Sequence, residues 1–348
     1  MNKIKLLGLA ICLSNAVLAG NADRAGEAGA SQLLINPWSR SSGWAGANAS
    51  SCRGLEAQYL NVAGTAFTRK TEVLFSNSFW LAGTQIHSFG FSQGVGETGA
   101  IGFSIMSMDF GDIPITTNDA PEGKIGSYSP QFINLGVSYA KGFSDNIFGG
   151  FNLKIVSESI SNIKSRGVAL DAGIQYVTGA TDNIKFGISL KNIGPKMQYT
   201  GDGLSFRGTA PGAGPAITVE QRSAAFELPS LLNIGGAYDF YLANDTAGVK
   251  LHRLTVAGNF TSNSFNNDIF TLGMEYGFKS MFFARAGYNF EKGALETATR
   301  VNAFSGPCAG FSVEVPFGKS KSTFAIDYSY RNAYSFKGVN SIGIRINL

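Results

Sequence analysis

The sequence predicts an all-β protein, a transmembrane antiparallel outer-membrane barrel of about fourteen strands with an N-terminal plug in its lumen. Three observations predict it. Large apolar and small or polar residues alternate with period two in segment after segment: Phe324, Ile326, Tyr328 and Tyr330 alternate with Ala325, Asp327 and Ser329. Fourteen such segments, an even number, can be read at 71–80, 83–92, 99–109, 131–141, 145–157, 165–177, 182–194, 231–241, 250–261, 267–278, 281–290, 308–317, 322–332 and 340–348. Most have the roughly ten residues that a tilted strand needs to cross a bilayer. The connections also sort by parity. Those at 93–98, 142–144, 178–181, 242–248, 279–280 and 318–321 are short, whereas the long ones, about 110–130, 195–230 and 291–307, all fall in the other set. A soluble sandwich has no reason to sort its loops in this way, and an outer-membrane barrel does.

The elements follow in chain order. Lys3 and Lys5 precede an apolar run from Leu6 to Leu13, and Val17, Leu18 and Ala19 provide small residues for cleavage, so residues 1–19 read as a signal peptide. A lipoprotein signal through Cys12 fits less well, because Ile11 stands where a small residue is expected. Residues 20–68 carry no strand pattern, are rich in Ala, Gly, Ser and Asn, and are expected to fold into the lumen as the plug. Residues 69–348 form the barrel. Its outward face carries Ile133, Leu135, Val137 and Tyr139 on one strand and Phe270, Leu272, Met274, Tyr276 and Phe278 on another, ending in aromatic residues as an interfacial girdle requires. The inward face carries Lys154, Asp171, Lys185, Arg253, Glu275, Arg285, Glu314, Asp327 and Arg345, whose mixed signs suit internal ion pairs better than a selective pore. The final SIGIRINL closes the barrel. Both termini are expected on the periplasmic side or in the lumen, with outer-membrane lipid around the wall.

Composition narrows the function. Charged residues are 15% of the chain, Gly is 44 of 348, and the net charge of +4 is not gathered into a basic stretch, which argues against nucleic acid as a partner. GVGETG (Gly94–Gly99) matches a dinucleotide fingerprint only formally, since a strand pattern and not a helix follows it. The two histidines, His87 and His252, lack a neighbouring Ser and acid at a suggestive spacing, and no His/Cys/carboxylate cluster has metal-ligand spacing. The expectation is a non-enzymatic protein without cofactor or metal. Cys308 falls in phase with inward Ser312 and Glu314, and Cys52 lies in the plug, so a Cys52–Cys308 disulfide would tie plug to wall; two free buried thiols are the alternative. Binding residues gather on loops held by a rigid scaffold. The long loops offer Phe110, Ile113, Ile115, Tyr128, Met197, Tyr199, Leu204, Phe206, Ile217 and Phe226 as candidates for contact with a partner, or for packing of the loops on themselves.

GASQLLINPWSRSSGWAGANAS followed by GLEAQYLNVAGTAF resembles the entry segment of the PorV/PorQ family, itself related to the FadL-type barrels. Arg40, Gly43, Gly46, Tyr59, Asn61, Ala63 and Gly64 match, while Trp44, Ala45 and Val62 depart from the pattern. KNIGPKMQY, ELPSLLNIGGAYDF and SIGIRINL extend the resemblance over nearly the whole chain after the leader. It implies a Bacteroidota-type outer membrane and a role in type IX secretion, with the translocon or the C-terminal signal domains of secreted cargo as partners. The alternative is a FadL-like transporter of hydrophobic small molecules.

Overall fold

The computed structural model describes residues 24–209, 212, 214–244, 250–294, 296, 300–318 and 322–348. The signal-peptide reading of residues 1–19 lies outside them. Every alternating segment forms a strand, and the wall strands are β1 (Thr71–Phe79), β2 (Gln85–Val95), β3 (Gly99–Asp109), β4 (Gln131–Gly142), β5 (Ile147–Ile160), β6 (Ile163–Thr178), β7 (Ile184–Ile193), β8 (Leu231–Asn244), β9 (Lys250–Asn263), β10 (Ile269–Phe278), β11 (Phe282–Glu291), β12 (Phe304–Phe317), β13 (Ser322–Ala333) and β14 (Val339–Asn347). Each pairs antiparallel with its sequence neighbour, and β14 pairs with β1 in the register Phe75↔Ile344, so the ring closes. Closure is what a membrane demands, because an unpaired sheet edge in hydrocarbon leaves its N–H and C=O groups without partners.

The two faces differ as the alternation requires. Phe103, Val137, Phe151, Leu170, Ile188, Ile234, Met274, Phe311 and Ile344 are exposed on the outside, whereas Asp171, Gln175, Lys185, Glu275, Arg285 and Arg345 are buried inside. The lumen charges pair with one another: Lys154 with Asp171 at 2.7 Å, Lys185 with Asp239 at 2.5 Å, Arg285 with Glu275 at 2.6 Å, Arg345 with Glu314 at 2.9 Å, and Arg253 with Glu275. The long connections, 110–130, 194–230 and 292–303, leave from one end of the barrel. Two small hairpins stand on them, pairing Ile113–Pro114 with Ser127–Tyr128 and Ser205–Gly208 with Ile217–Glu220.

The N-terminal segment occupies the lumen. Its first described residues lie at the long-loop rim, where Gly29 N–H bonds Glu227 O at 3.0 Å and Arg24 pairs with Glu227 at 3.2 Å while lying over Phe265. From there it descends through isolated turns to the start of β1. Asn side chains cap the starts of two of these turns: Asn36 Oδ1 accepts from Trp38 N–H and Asn61 Oδ1 from Ala63 N–H, donors that have no partner within the turn. Bonds to the wall complete the segment's contacts: Gln175 donates to Ala49 O and Cys52 O, Glu72 accepts from Leu55 N–H, and the segment's own Asn61 donates to Ile174 O of the wall.

An arginine introduced at Leu170, in the outward band, is expected to cost about 2–4 kcal/mol, and one at Ser157, near the long-loop edge of the band, about 0–1 kcal/mol. Equilibrium urea unfolding in lipid vesicles checks the difference.

Candidate ligand site in the lumen

The site is built around a row of small inward residues. Ala237, Ala257, Gly273, Gly287 and Cys308 stand directly opposite one another across β8 to β12, at one level of the wall. The plug turn Trp44–Ala47 sits against this row: Trp44 and Ala47 are buried against Ala237 and Ala257. A Cβ added at Gly273 would lie 2.8 Å from the Cβ of Ala47, and one added at Gly287 would collide with the Trp44 carbonyl. Backbone meets backbone here, which only residues this small permit. The turn is made by Ala45 (φ 59°) and Gly46 (φ 82°), both left-handed. Cys308 ends the row, its Sγ 3.4 Å from Gly43 O.

Below this seat, toward the short-turn end, the plug meets the wall through charge. Arg40 faces Glu56 at 3.5 Å. Burial pulls its pKa down, but Glu56, Glu275, Asp327 and Glu314 outweigh that and raise it, so Arg40 stays a fixed cation. A polar cavity of about 210 Å³ lies there among Arg40, Trp44, Asn48, Glu56, Lys185, Asp239 and Arg253.

Above the seat, toward the long loops, a second cavity of about 340 Å³ opens between plug and wall. One side is apolar and aromatic, with Leu34, Ile35, Tyr59, Leu60, Trp80 and Phe304. The other is a ladder of amides and hydroxyls on adjacent strands. Asn259 and Thr261 donate to Asn233 Oδ1 at 3.3 and 2.7 Å, and Thr271 donates to Asn289 Oδ1 at 2.8 Å. Two cations face the same space. The Lys191 ammonium lies 3.5 Å from the centre of the Tyr59 ring and the Arg331 guanidinium 3.9 Å from that of Phe304. Among the described residues neither has a carboxylate in ion-pair range, unlike Arg40, Lys185, Arg253, Arg285 and Arg345 lower in the lumen. The one carboxylate lining the cavity, Glu291, pairs with neither cation. Buried charges are ordinarily paired. An amphipathic molecule, apolar along its body and anionic at one end, satisfies this arrangement.

The loop residues singled out in the sequence divide. Met197 is buried with Leu33, Val156 and Leu228, and exchanges backbone hydrogen bonds with Phe226. Tyr199 donates to Glu158, which also accepts from Gln32 of the plug, and its ring packs on Phe226. These three tie the 194–230 connection to the plug. Phe110 packs edge-on against Phe132, Ile113 pairs with Tyr128, and Leu204 is half-buried. Ile115, Phe206 and Ile217 are exposed. Of the two readings of Cys52 and Cys308, the structure has the second: both thiols are free and buried. Cys52 O is bonded by Gln175 of β6, while Cys308 stands on β12, on the far side of the ring. His87 is exposed on the outer face, and His252 shares a 2.6 Å hydrogen bond with Tyr276 there, so neither enters the lumen. Sequence reading placed Lys191 on the inward face without assigning it a role, and it missed the small-residue row and Arg331. The available signal was inward phase, but the cations stand out only once register puts Leu231 and not an acid opposite Lys191.

Comparison with known proteins follows this geometry. No family model matches the sequence, and no curated protein matches it significantly. Solved structures do match. The Pseudomonas putida toluene transporter TodX superposes with a TM-score of 0.53 at 13% identity, covering 90% of this chain and 97% of that one. The CymD monoaromatic hydrocarbon channel gives 0.52 at 13% identity, with the same two coverages. The fold is that of a FadL-like outer-membrane barrel. At this identity the likeness shows the fold, and it places the chain among integral outer-membrane barrels. It also corrects the functional expectation. The neighbours are named as hydrocarbon channels and transporters, and the expected type IX partner-binding role is withdrawn. The PorV/PorQ part of the resemblance receives no support.

Replacing Gly287 with Val puts side-chain atoms where the Trp44 carbonyl sits. Overpacking of this kind costs about 1–3 kcal/mol, and here it is expected to unseat the plug while the closed wall survives. Limited trypsin digestion should then cleave after Arg40 or Arg53 in the variant and not in the wild type, with the barrel band on unheated gels unchanged.

Proposed function

We propose that the protein is an outer-membrane transporter of hydrophobic small molecules with a polar, anionic end, which rest in the upper lumen cavity before passing the plug. The observation that carries this reading is the pairing of an aromatic wall with two cations, buried Lys191 and half-buried Arg331, that among the described residues have no carboxylate of their own. A cavity of this size is ordinary for a small-molecule site. The names of the hydrocarbon-channel neighbours agree with the apolar half of the reading; the anionic end comes from this chain's own residues.

In this reading the long loops face outward and the short turns face the periplasm, as in outer-membrane barrels generally. The C-terminal Leu348, bonded to Thr71 O, then lies on the periplasmic side, while the plug enters the lumen from the long-loop rim. Cargo would be received above the Trp44–Ala47 seat, and the polar lower cavity would form the exit. The neighbours' transport role and the outward-facing histidines support a non-enzymatic protein.

Binding of benzoate and of toluene to the purified protein, followed by isothermal titration, tests the reading. Benzoate should bind the wild type, and the Lys191→Met, Arg331→Met variant should lose about tenfold or more of that affinity, since hydrogen bonds to a charged partner contribute roughly 1.5–3 kcal/mol each. Toluene binding should change little. Equal benzoate affinity in both proteins would remove the anionic end from the reading. Failure of either molecule to bind or to enter cells expressing the protein would count against transport itself.

A further inference from the structure

The outward face of the barrel is almost free of charge, and its few exceptions are not scattered. Among the described residues, the charged side chains exposed on that face are Asp109, Lys141, Lys164 and Arg166. Lys141 stands toward the short-turn end of β4. Lys164 and Arg166 stand together at the long-loop end of β6, two residues apart and therefore on the same face, directly above outward Val168 and Leu170. Neither has an ion-pair partner among the described residues.

Register gives this pair polar neighbours. Arg166 stands opposite Ser157 and Lys164 opposite Ser159 on β5, and Lys164 stands opposite Thr200 on its other side. Two cations and three hydroxyls thus face outward from three adjacent strands. The height is also defined. From Arg166 to outward Tyr176 the strand rises roughly 33 Å at about 3.3 Å per residue, which a tilt of about 40° reduces to roughly 25 Å across the membrane, the height of an outer-membrane barrel's apolar band. Arg166 therefore stands at the edge of the band, where lipid phosphates lie. Above it, Phe206 and Ile217 are exposed on the 205–220 hairpin. An uncompensated cation at that depth is stable against a lipid anion, and among the described residues no carboxylate pairs with it.

We propose that Lys164 and Arg166, with Ser157, Ser159 and Thr200, form a docking site for the phosphorylated headgroup of an outer-leaflet glycolipid, whose acyl chains lie along Val168, Leu170 and Leu153. The choice of leaflet rests on the orientation given above; the site itself does not. Arg supplies a planar fork that matches phosphate oxygens and Lys a mobile point charge, so the two together grip a phosphate that rotates at the membrane surface.

The test is native mass spectrometry of the detergent-purified protein titrated with bisphosphorylated lipid A. The wild type should retain the lipid, and the Lys164→Gln, Arg166→Gln double variant should bind it about tenfold or more weakly. The Lys164→Arg, Arg166→Lys exchange should restore most of the affinity, and Lys141→Gln should leave it unchanged. Millimolar inorganic phosphate should not displace the lipid, because the apolar contacts hold it as well. Equal retention by the double variant, or equal loss with Lys141→Gln, would overturn the site. Displacement by inorganic phosphate alone would reduce it to a free-anion site and overturn the lipid assignment. Because micelles have no sidedness, the outcome does not depend on orientation or transport. Orientation is checked separately, by labelling a Thr116→Cys variant on intact cells with a maleimide too large to cross the outer membrane.

Discussion

The molecule depends on one close approach: the Trp44–Ala47 turn resting on a row of small residues across β8 to β12. A fourteen-stranded ring encloses more space than its own side chains fill, so something must occupy the lumen. The plug can do so only where the wall lets its backbone come near. Gly273 and Gly287 allow that approach, Ala237 and Ala257 are buried together with Trp44 and Ala47, and Cys308 completes the row. Once this contact is made, the lumen is divided. The charged belt around Arg40 lies below it and the aromatic and amide cavity above, and each half takes its character from the wall residues at its own level.

Charge obeys two opposite rules on the two sides of the same strands. Inside, acids and bases stand opposite each other in register, as with Glu275 and Arg285, and so cancel in a low-dielectric space. Where that cancellation fails, at Lys191 and Arg331, the lumen holds a cavity. Outside, charge is excluded from the apolar band and reappears at its edge as Lys164 and Arg166. In both places an unpaired cation beside apolar surface marks a partner outside the chain, a small anion in the lumen and a lipid phosphate on the wall.

The wall was legible from sequence because period-two alternation is local and each face has a single solvent to satisfy. All fourteen strands could be read, along with the side on which Asp171, Lys185 or Arg345 would lie. The residues that define the lumen sites were not legible, since they depend on pairing between strands. Gly273 and Gly287 look like any other barrel glycines until register lines them up, and Lys191 looks like Lys185 until Asp239 proves to stand within reach of one and not the other. Phase placed Cys308 inward correctly but could not say what it faced, which is Gly43 and not Cys52. Apolar loop residues are ambiguous for the same reason. Met197, Tyr199 and Phe226 suited either contact with a partner or packing of the loops, and they hold the 194–230 connection against the plug. The resemblance to a secretion family followed the entry segment and the closing strand, features a barrel needs whatever it carries.

Single-channel recording in planar lipid bilayers tests the divided lumen most directly. With Trp44–Ala47 seated on the row, the wild-type protein should be nearly silent to potassium chloride, and a Trp44→Gly variant should conduct steadily because the two cavities then join. Wild-type protein that conducts as freely as the variant would contradict the closure on which the structure has been explained.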